Sequence, residues 1–345
     1  MTASGIYLDW NADAPVSDAA WSAYVEASQY FGNPSSLHGP GREAAKVLRD
    51  ARERVGAAFG MPAESVIFTS GGTEADALAL TGYLGGLSAG SVLVAEIEHP
   101  AILKNLEVLC EKQGLSLIRV PVSDAGVVYP EEVEKLLRDD TVLLSVMMAS
   151  NETGVIQPIN ELAQLCRSRG VVMHTDAVQA VGRMPVSMPE LGVHMMTISG
   201  HKFGALSGTG ALIVEPGLSL QPFLTGGGQE NGMRGGTENV AGAACMAAAL
   251  EDLPNEATLN AWAKNQSLKN VEVIPDGSAE FTRKMGMLVK KDNLGFGMRS
   301  WRYAILVDNK IIKKLWIEEG FGDNTIGDSY GKSSPENILN DLKQL

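Results

Sequence analysis

Residues 68–80, FTSGGTEADALAL, predict the end of a strand, a glycine turn and the start of a helix. The strand is expected to end at Thr69 and the helix to begin near Glu74. Glycine lets the backbone come close to an anion, and the first turn of a helix offers unpaired N–H groups and the positive end of its dipole. The stretch therefore suits a phosphate group, although a purely structural turn fits the pattern equally well.

The same alternation continues outward from this stretch, between Ser65 and Val214. Short β-branched runs alternate with amphipathic stretches of helix length; the runs are SVIFTS, SVLVAEI, LIRVPV, VLLSVMM, VVMHTDA and ALIVEP. Nearly continuous apolar strands with helices between them predict an α/β domain whose mostly parallel sheet is covered by helices. Ligands of such sheets bind beyond the carboxyl ends of the strands, so the functional site is expected there.

Composition excludes several classes of function. The 28 Lys and Arg residues face 41 Asp and Glu residues, a net charge of −13, which argues against a nucleic-acid partner. No stretch has the roughly 18 apolar residues that a membrane helix needs, so no membrane partner is expected. The 3 cysteines form neither a disulfide framework nor a zinc pattern, so we expect no metal and a reducing, cytoplasmic location.

Two titratable residues follow apolar strands. Asp176, in VVMHTDAVQAVG, is placed to keep a heteroaromatic ring nitrogen protonated, with Gln179 three residues on. Its structural alternative is to cap the next helix. Lys202 follows Ser199 and His201 in MMTISGHKFG, and low dielectric there would lower its pKa and free its amine to attack an aldehyde. Its alternative is an ordinary surface lysine.

Eight segments in order carry a family resemblance. They closely resemble successive signatures of the cysteine desulfurases, which belong to the class V aminotransferases of fold type I; the segments are IYLDWNADAPV, FGNPSSLHGPGREA, FTSGGTEADALAL, EIEHPAIL, ASNETGVIQPI, HTDAVQAVGRMPV, SGHKFG and GGGQENGMRGGTENV. The resemblance covers residues 5–253. It implies a large domain of a pyridoxal-phosphate-dependent transferase, with pyridoxal 5'-phosphate as cofactor. The family converts L-cysteine to L-alanine and passes the sulfur to an acceptor protein in iron–sulfur cluster assembly.

The resemblance also implies a role for each matching residue. Lys202 and His99 would be catalytic, Lys202 by bonding covalently to the cofactor and His99 by stacking on its ring. Three further side chains would contact the cofactor, namely Asp176 at the ring nitrogen, Gln179 at the ring hydroxyl and Asn151, which also touches the substrate carboxylate. The phosphate would be held by Gly72, Thr73, Ser199 and His201, together with Thr237 from the neighbouring subunit of a homodimer. Alternatives stay open: His99 as a helix-start residue, Asn151 and Thr237 as loop caps.

The family pattern ends near Leu253. Family members continue with a small domain that carries a persulfide-forming cysteine, and no cysteine of this chain matches it. Cys110, Cys166 and Cys245 lie in helix-like apolar patterns, where a buried, inert thiol is expected. The resemblance therefore implies an enzyme whose desulfuration lacks its usual sulfur acceptor. The alternatives are residual pyridoxal-phosphate chemistry without sulfur transfer, or an inactive fusion or scaffold protein.

The remaining residues resemble a different family. VEVIPDGSAEFTRKMGMLV and LGFGMRSWRYAILVDNKIIKKLWIEEGFGDN look like the C-terminal part of the atypical peroxiredoxins, which have a thioredoxin-like fold. We therefore predict two domains, 1–253 and a truncated peroxiredoxin-like segment, 254–345. Within the segment we expect helices at 256–268 and 279–287, a strand VEVIP, a hairpin around Asn309 and a final helix PENILNDLKQL.

Overall fold

The computed structural model describes residues 9–253 and, in the C-terminal part, 288–290, 298–300, 303–308, 311–317, 332, 337–338 and 341. The chain forms two compact units. One consists of Met1–Ser150 and Ile156–Val273, and the other of Asn151–Val155 and Ile274–Leu345. The predicted boundary at residue 253 stays a prediction, because the residues that follow it directly lie outside the described ones.

Helices and strands alternate along residues 9–253. The helices of this range are α1 (Asp18–Ala27), α2 (Gly39–Ala58), α3 (Gly72–Leu84), α4 (Pro100–Gln113), α5 (Pro130–Leu136), α6 (Ile159–Arg169), α7 (Met188–Leu191) and α8 (Val240–Glu251). The strands are β1 (Val66–Thr69), β2 (Ser91–Ala95), β3 (Ser116–Val120), β4 (Thr141–Ser145), β5 (Val172–Asp176), β6 (Met195–Ser199) and β7 (Gly210–Val214). Helix α3 begins two residues before the expected Glu74.

The seven strands form one mixed sheet in the order β1-β7-β6-β5-β4-β2-β3. Strands β3, β2, β4, β5 and β6 run parallel, and β7 lies antiparallel between β6 and β1. Strand β1 therefore points in the same direction as the five parallel strands. The predicted α/β class with a mostly parallel sheet is confirmed, and the carboxyl ends of six strands meet at one edge.

Strands β2, β5, β6 and β7 are buried along their whole length, so they bury both faces, because successive side chains point to opposite sides of the sheet. The edge strand β3 is partly exposed. On β2, Val92 and Val94 pack with Leu78 of α3 and Ile102 of α4. Leu93 between them belongs to the core of the other face, which receives side chains from α1, α2, α6 and α8. Burial of both faces explains why the strands are continuous apolar runs in the sequence.

Local signals set the helix bounds that frame the site. Helix α4 begins at Pro100 after His99, whose ring Nδ1 accepts the N–H of Ala101 at 3.1 Å. Proline suits the first helical position because that position needs no N–H. The helix ends at Gln113 and is capped by Gly114, which has φ 70°, a left-handed conformation that glycine adopts without strain.

The second unit contains two described strand pairs. Strands β8 (Leu288–Lys290) and β9 (Met298–Ser300) pair antiparallel, as do β10 (Tyr303–Asp308) and β11 (Ile311–Ile317). The second pair is the predicted hairpin around Asn309. Strands β8 and β9 were not predicted, because three residues are too few to show a periodicity. The predicted helices at 256–268 and 279–287 and the strand VEVIP lie outside the described residues.

None of the helices in the part of the chain that the structure describes is long and apolar enough to cross a membrane.

An ion pair fastens the loop before α8 to the first strand. Both guanidinium nitrogens of Arg52 donate to the Glu230 carboxylate, at 2.6 and 2.7 Å, and Glu230 also accepts the N–H of Phe68. The Glu230 side chain is only 3% exposed. Since Arg52 has 15% exposure, loss of its partner would leave a largely buried charge without compensation.

We expect Glu230→Ala to lower the free energy of unfolding by about 3–5 kcal/mol, as is typical when one partner of a buried ion pair is removed. Glu251→Ala is the matched control, since Glu251 also pairs with an arginine, Arg54, but is 55% exposed. The control should cost only about 0.2–1 kcal/mol. Urea unfolding followed by circular dichroism measures both, and equal effects would contradict this account.

Candidate active site

The site is organised around Gly210, the first residue of β7. Gly210 pairs with Thr69 at the end of β1 and with Ser199 at the end of β6. A Cβ atom added at Gly210 would lie 2.6 Å from the backbone of Gly71, so only glycine allows this approach. The glycine turn after β1 and the residues after β6 are thereby brought to the same place.

The N-terminus of α3 lies beside these strand ends and is not capped by a side chain. Gly71 precedes the helix with φ 153°, a conformation open to glycine. A Cβ atom at Gly72 would lie 3.0 Å from Val178 and 3.3 Å from the Cβ of Ser199. Thr73 is exposed in the first turn. The helix N-terminus, with its free N–H groups and positive dipole end, is therefore open to an anion.

Lys202 ends a short 3-10 turn, Gly200–Lys202, directly after β6. Its Nζ donates to the carbonyl oxygens of Asn11 at 2.7 Å and Ala12 at 2.8 Å. Burial lowers the pKa of Lys202, and the nearby Arg183 charge lowers it further, while carboxylates around it act in the opposite sense. A neutral amine has two N–H groups, enough for both carbonyl bonds, and keeps its lone pair for reaction.

Asp176 is the last residue of β5 and is 6% exposed. Its Oδ1 accepts the N–H of Val178 at 2.8 Å, so the carboxyl caps a turn rather than a helix. Burial raises the pKa of Asp176 to about 6, although the Val178 bond and the Lys202 charge act against the rise. The carboxyl is thus mostly ionised at neutral pH, and its pKa lies close to that pH.

Residues 9–14 are hydrogen-bonded to residues at the same edge of the sheet. Gln179 donates to the carbonyl of Asn11 at 3.0 Å, and Arg183 donates to that of Trp10 at 2.9 Å. With the two bonds of Lys202, these contacts fix the segment against the strand ends. Arg183 was not singled out from the sequence, although it lies in the quoted segment HTDAVQAVGRMPV.

The two candidate histidines have protein partners. His99 is exposed and caps α4, as its helix-start alternative expects. The protein around the ring shields it in part from water and so lowers the pKa of His99, with the Lys202 charge as a second cause, so both residues share one electrostatic environment. The ring Nδ1 of His201 lies 2.9 Å from Asp13 Oδ1.

Two predicted site residues are not joined to this group by the described contacts. Thr237 is exposed in the loop before α8. Asn151 lies in Asn151–Val155, the segment that belongs to the second unit. The roles that the family resemblance implies for both residues stay predictions.

Three buried polar residues near Asp176 were missed by sequence reasoning. Asp76 on α3 and Glu98 before α4 have raised pKa values because of burial, with repulsion from Asp176 as a further cause. His174, two residues before Asp176 on β5, is fully buried. A sequence signal existed for Asp76, since it is the one charge in the apolar run ADALAL.

All three thiols of the chain are buried, as expected. Cys110 lies in α4, Cys166 in α6 and Cys245 in α8. Burial raises the pKa of each thiol, that of Cys166 to about 12. A raised pKa keeps sulfur in the unreactive thiol form at neutral pH.

Comparison with known proteins shows the family of the chain. Residues 6–274 match the family described as Aminotransferase class-V, and residues 236–325 match the family described as Redoxin. The chain is 42% identical over 249 residues to the cysteine desulfurase IscS of Dictyoglomus turgidum, covering 71% of this chain and 63% of that protein. It is 34% identical over 292 residues to the cysteine desulfurase IscS of Clostridium botulinum, covering 81% of this chain and 73% of that protein.

Solved structures give the same result. A NifS-like protein superposes with a TM-score of 0.71 at 34% identity, covering 75% of this chain and 71% of its own. SspA, solved in complex with cysteine, superposes with a TM-score of 0.71 at 28% identity, covering 76% and 77%. The chain thus spans less than two thirds of the Dictyoglomus relative and about three quarters of the others.

We expect Asp176→Asn to stabilise the chain at about pH 8, by roughly 2–3 kcal/mol, because each unit of pKa shift is worth about 1.4 kcal/mol. The raised pKa means that the folded state binds the Asp176 proton more tightly than the unfolded state does. Wild-type stability from this group is therefore full below about pH 4 and is lost as the pH rises through about 6.

Thermal unfolding of the cofactor-free protein as a function of pH measures this difference. The substituted asparagine still accepts the N–H of Val178 through its side-chain oxygen, so only the charge changes. The exposed Asp139→Asn is the control and should show no such pH-dependent gain. A stability difference that grows as the pH falls would refute the assignment.

Proposed function

Because the chain belongs to the class-V aminotransferase family, we propose that it is a pyridoxal-phosphate-dependent enzyme of the cysteine desulfurase type that acts on L-cysteine or a related amino acid. The cofactor of this family is pyridoxal 5'-phosphate. The observation that carries the proposal is a single edge of the sheet at which a lysine of lowered pKa, a buried aspartate and an open helix N-terminus all lie.

The residues present fit this cofactor. Gly72 leaves room where a Cβ atom would crowd Ser199, so a phosphate can approach the N–H groups of α3. The amine of Lys202 suits an aldehyde, and the carboxylate of Asp176 suits a protonated ring nitrogen. Phosphate, aldehyde and pyridine nitrogen each thus have a chemically matched partner.

We assign each residue the task that the family resemblance implies. Gly72, Thr73, Ser199 and His201 hold the phosphate. Asp176 keeps a proton on the ring nitrogen, and Gln179 orients the ring hydroxyl. When bound, the cofactor supplies an electron sink for the bond broken at the α-carbon of the substrate.

Lys202 has two tasks in this proposal. Its amine would hold the cofactor through the aldehyde group, for which the unprotonated form favoured by its lowered pKa is suited. With an amino acid bound, the same amine would move a proton at the substrate α-carbon. His99 would cover the ring face of the cofactor, and its lowered pKa favours a neutral imidazole beside Lys202.

Sulfur transfer is the step for which none of the three cysteines of this chain is suited. A desulfurase needs a thiolate to attack the substrate sulfur, and the three thiols are buried with raised pKa values. Transfer would therefore require a thiol from another molecule, such as a sulfur-acceptor protein. Chemistry at the α-carbon without sulfur transfer is the second candidate function, which the buried thiols favour.

We further propose that the active form is a homodimer. Thr237 is exposed at the end of a glycine-rich loop, as a residue that reaches the phosphate of a neighbouring subunit would be. Helix α1 and the loop after it also expose large apolar side chains, namely Trp21, Val25, Tyr30, Phe31 and Leu37. Apolar surface of this kind favours association.

Addition of pyridoxal phosphate to the purified protein is expected to produce the visible absorption band of a lysine-bound cofactor. Lys202→Ala should abolish the band, because the amine that bonds to the aldehyde is gone. Lys112→Ala, at an exposed position on α4, is the matched control and should retain it. A band that survives in Lys202→Ala, or that never forms in the wild type, would refute the proposed function.

With L-cysteine, the loaded protein should show a spectral change that depends on Lys202 but release only background sulfide without an added thiol. Sulfide should rise when a small external thiol is supplied, since that thiol replaces the missing acceptor. The Cys110→Ser, Cys166→Ser, Cys245→Ser triple variant should behave as the wild type does. Sulfide release without external thiol that the triple variant loses would show that one of these cysteines is the acceptor.

A further inference from the structure

A network of polar side chains lies buried beneath Asp176, and the proposed reaction does not use it. Five elements or loops contribute one side chain each. The members, each at most 5% exposed, are Asp76 on α3, Glu98 before α4, Ser145 on β4, His174 on β5 and Thr197 on β6. Buried polar groups of this kind are costly unless they are hydrogen-bonded to one another.

The five side chains form a continuous chain of contacts. The Glu98 Oε1 lies 3.4 Å from Ser145 Oγ, which lies 3.0 Å from Nδ1 of His174. The other ring nitrogen of His174 lies 3.0 Å from Thr197 Oγ1, and the Thr197 hydroxyl bonds to the Asp76 carboxyl. The chain therefore has four links and a carboxyl at each end.

The hydroxyl and imidazole groups of this network have too few protons to fill its four contacts with hydrogen bonds. Ser145 and Thr197 each supply one hydroxyl proton, and a neutral imidazole supplies one N–H. Burial lowers the pKa of His174 to about 3, so its ring is neutral. Three protons cannot fill four hydrogen bonds, and the fourth has to come from a carboxylic acid at one end.

The charges around the network point the same way. One oxygen of each terminal carboxyl, Asp76 Oδ1 and Glu98 Oε2, is buried without a hydrogen-bond partner. Two anions there would also face the carboxylate of Asp176. The charges that act on Asp76 are those of Asp176 and Glu98, and the charge that acts on Glu98 is that of Asp176, so burial raises the pKa of both carboxyls and repulsion raises it further. Burying several carboxylates without cations to pair with them costs far more free energy than protonating them does.

We propose that both terminal carboxyls of this network, Asp76 and Glu98, are carboxylic acids, and that Asp176 is the charged carboxyl of the group. An acid at one end already gives every link a donor, in either direction along the chain. Asp176 then keeps its negative charge for a ring nitrogen, undisturbed by further anions. Only this last step rests on the proposed function, since the protonation itself needs no cofactor.

Infrared spectroscopy of the cofactor-free protein tests the protonation, because a protonated carboxyl and a carboxylate absorb separately. At about pH 8, where ordinary carboxyls are ionised, the wild type should show a carboxylic acid band. Asp76→Asn and Glu98→Gln should each reduce it, while Glu96→Gln, at an exposed position two residues from Glu98, should not. A spectrum without the band would overturn the proposal in favour of a charged His174, and a band unchanged in either variant would also overturn it.

The effect on Asp176 has its own readout. The infrared signal that Asp176→Asn removes reports the titration of Asp176, and its midpoint should stay unchanged in Asp76→Asn and Glu98→Gln. An amide replaces a neutral acid in these variants, so no charge is lost. A midpoint that moves to lower pH in either variant would mean that an anion had been removed, which contradicts the proposal.

The two proposals fail in different ways. If the carboxylic acid band is present but pyridoxal phosphate gives no band that depends on Lys202, the proposed function fails and the protonated network stands. If the Lys202 band forms and the carboxylic acid band is missing, the function stands and the network proposal fails.

Discussion

The close approach of Gly210 to Gly71 is the contact on which the site depends. Strand β7 runs against its neighbours, so its first residue lies at the edge where β1 and β6 end. Because neither glycine carries a side chain there, the two strand ends meet at backbone distance. The helix start that suits a phosphate and the turn that carries Lys202 are thereby held together. A larger residue at Gly210 would separate an anion site from an amine, and neither part would serve without the other.

The ionisation of Lys202 and Asp176 at this edge of the sheet depends more on their burial than on ion pairs. Lys202 is held by backbone carbonyls instead of a carboxylate, so no strong ion pair fixes its proton. Asp176 accepts a backbone N–H, and its charge is opposed by desolvation. Both groups consequently lie nearer to their neutral forms than they would in water. Groups poised in this way suit proton transfer and covalent bonding at neutral pH.

Two family models match the chain. The class-V aminotransferase match reaches residue 274, and the Redoxin match begins at residue 236, so the two overlap across α8 and the residues that follow it. The first part retains the residues that suit the cofactor, whereas each cysteine is enclosed in a helix of the core. In the proposed function, binding of an amino acid and acceptance of its sulfur are therefore separate tasks.

The sequence by itself determined the layered α/β fold, the strand ends that carry Asp176 and Lys202, and the burial of the cysteines. These follow from local periodicity, because an apolar run buried on both faces and a glycine before a helix are visible within a few residues. Only the tertiary structure decided the pairing of Gly210 with two strands, the carbonyl contacts of Lys202 and the network from Asp76 to Glu98. Each of these joins segments far apart in the chain, and their register and desolvation are set by packing that no local pattern records.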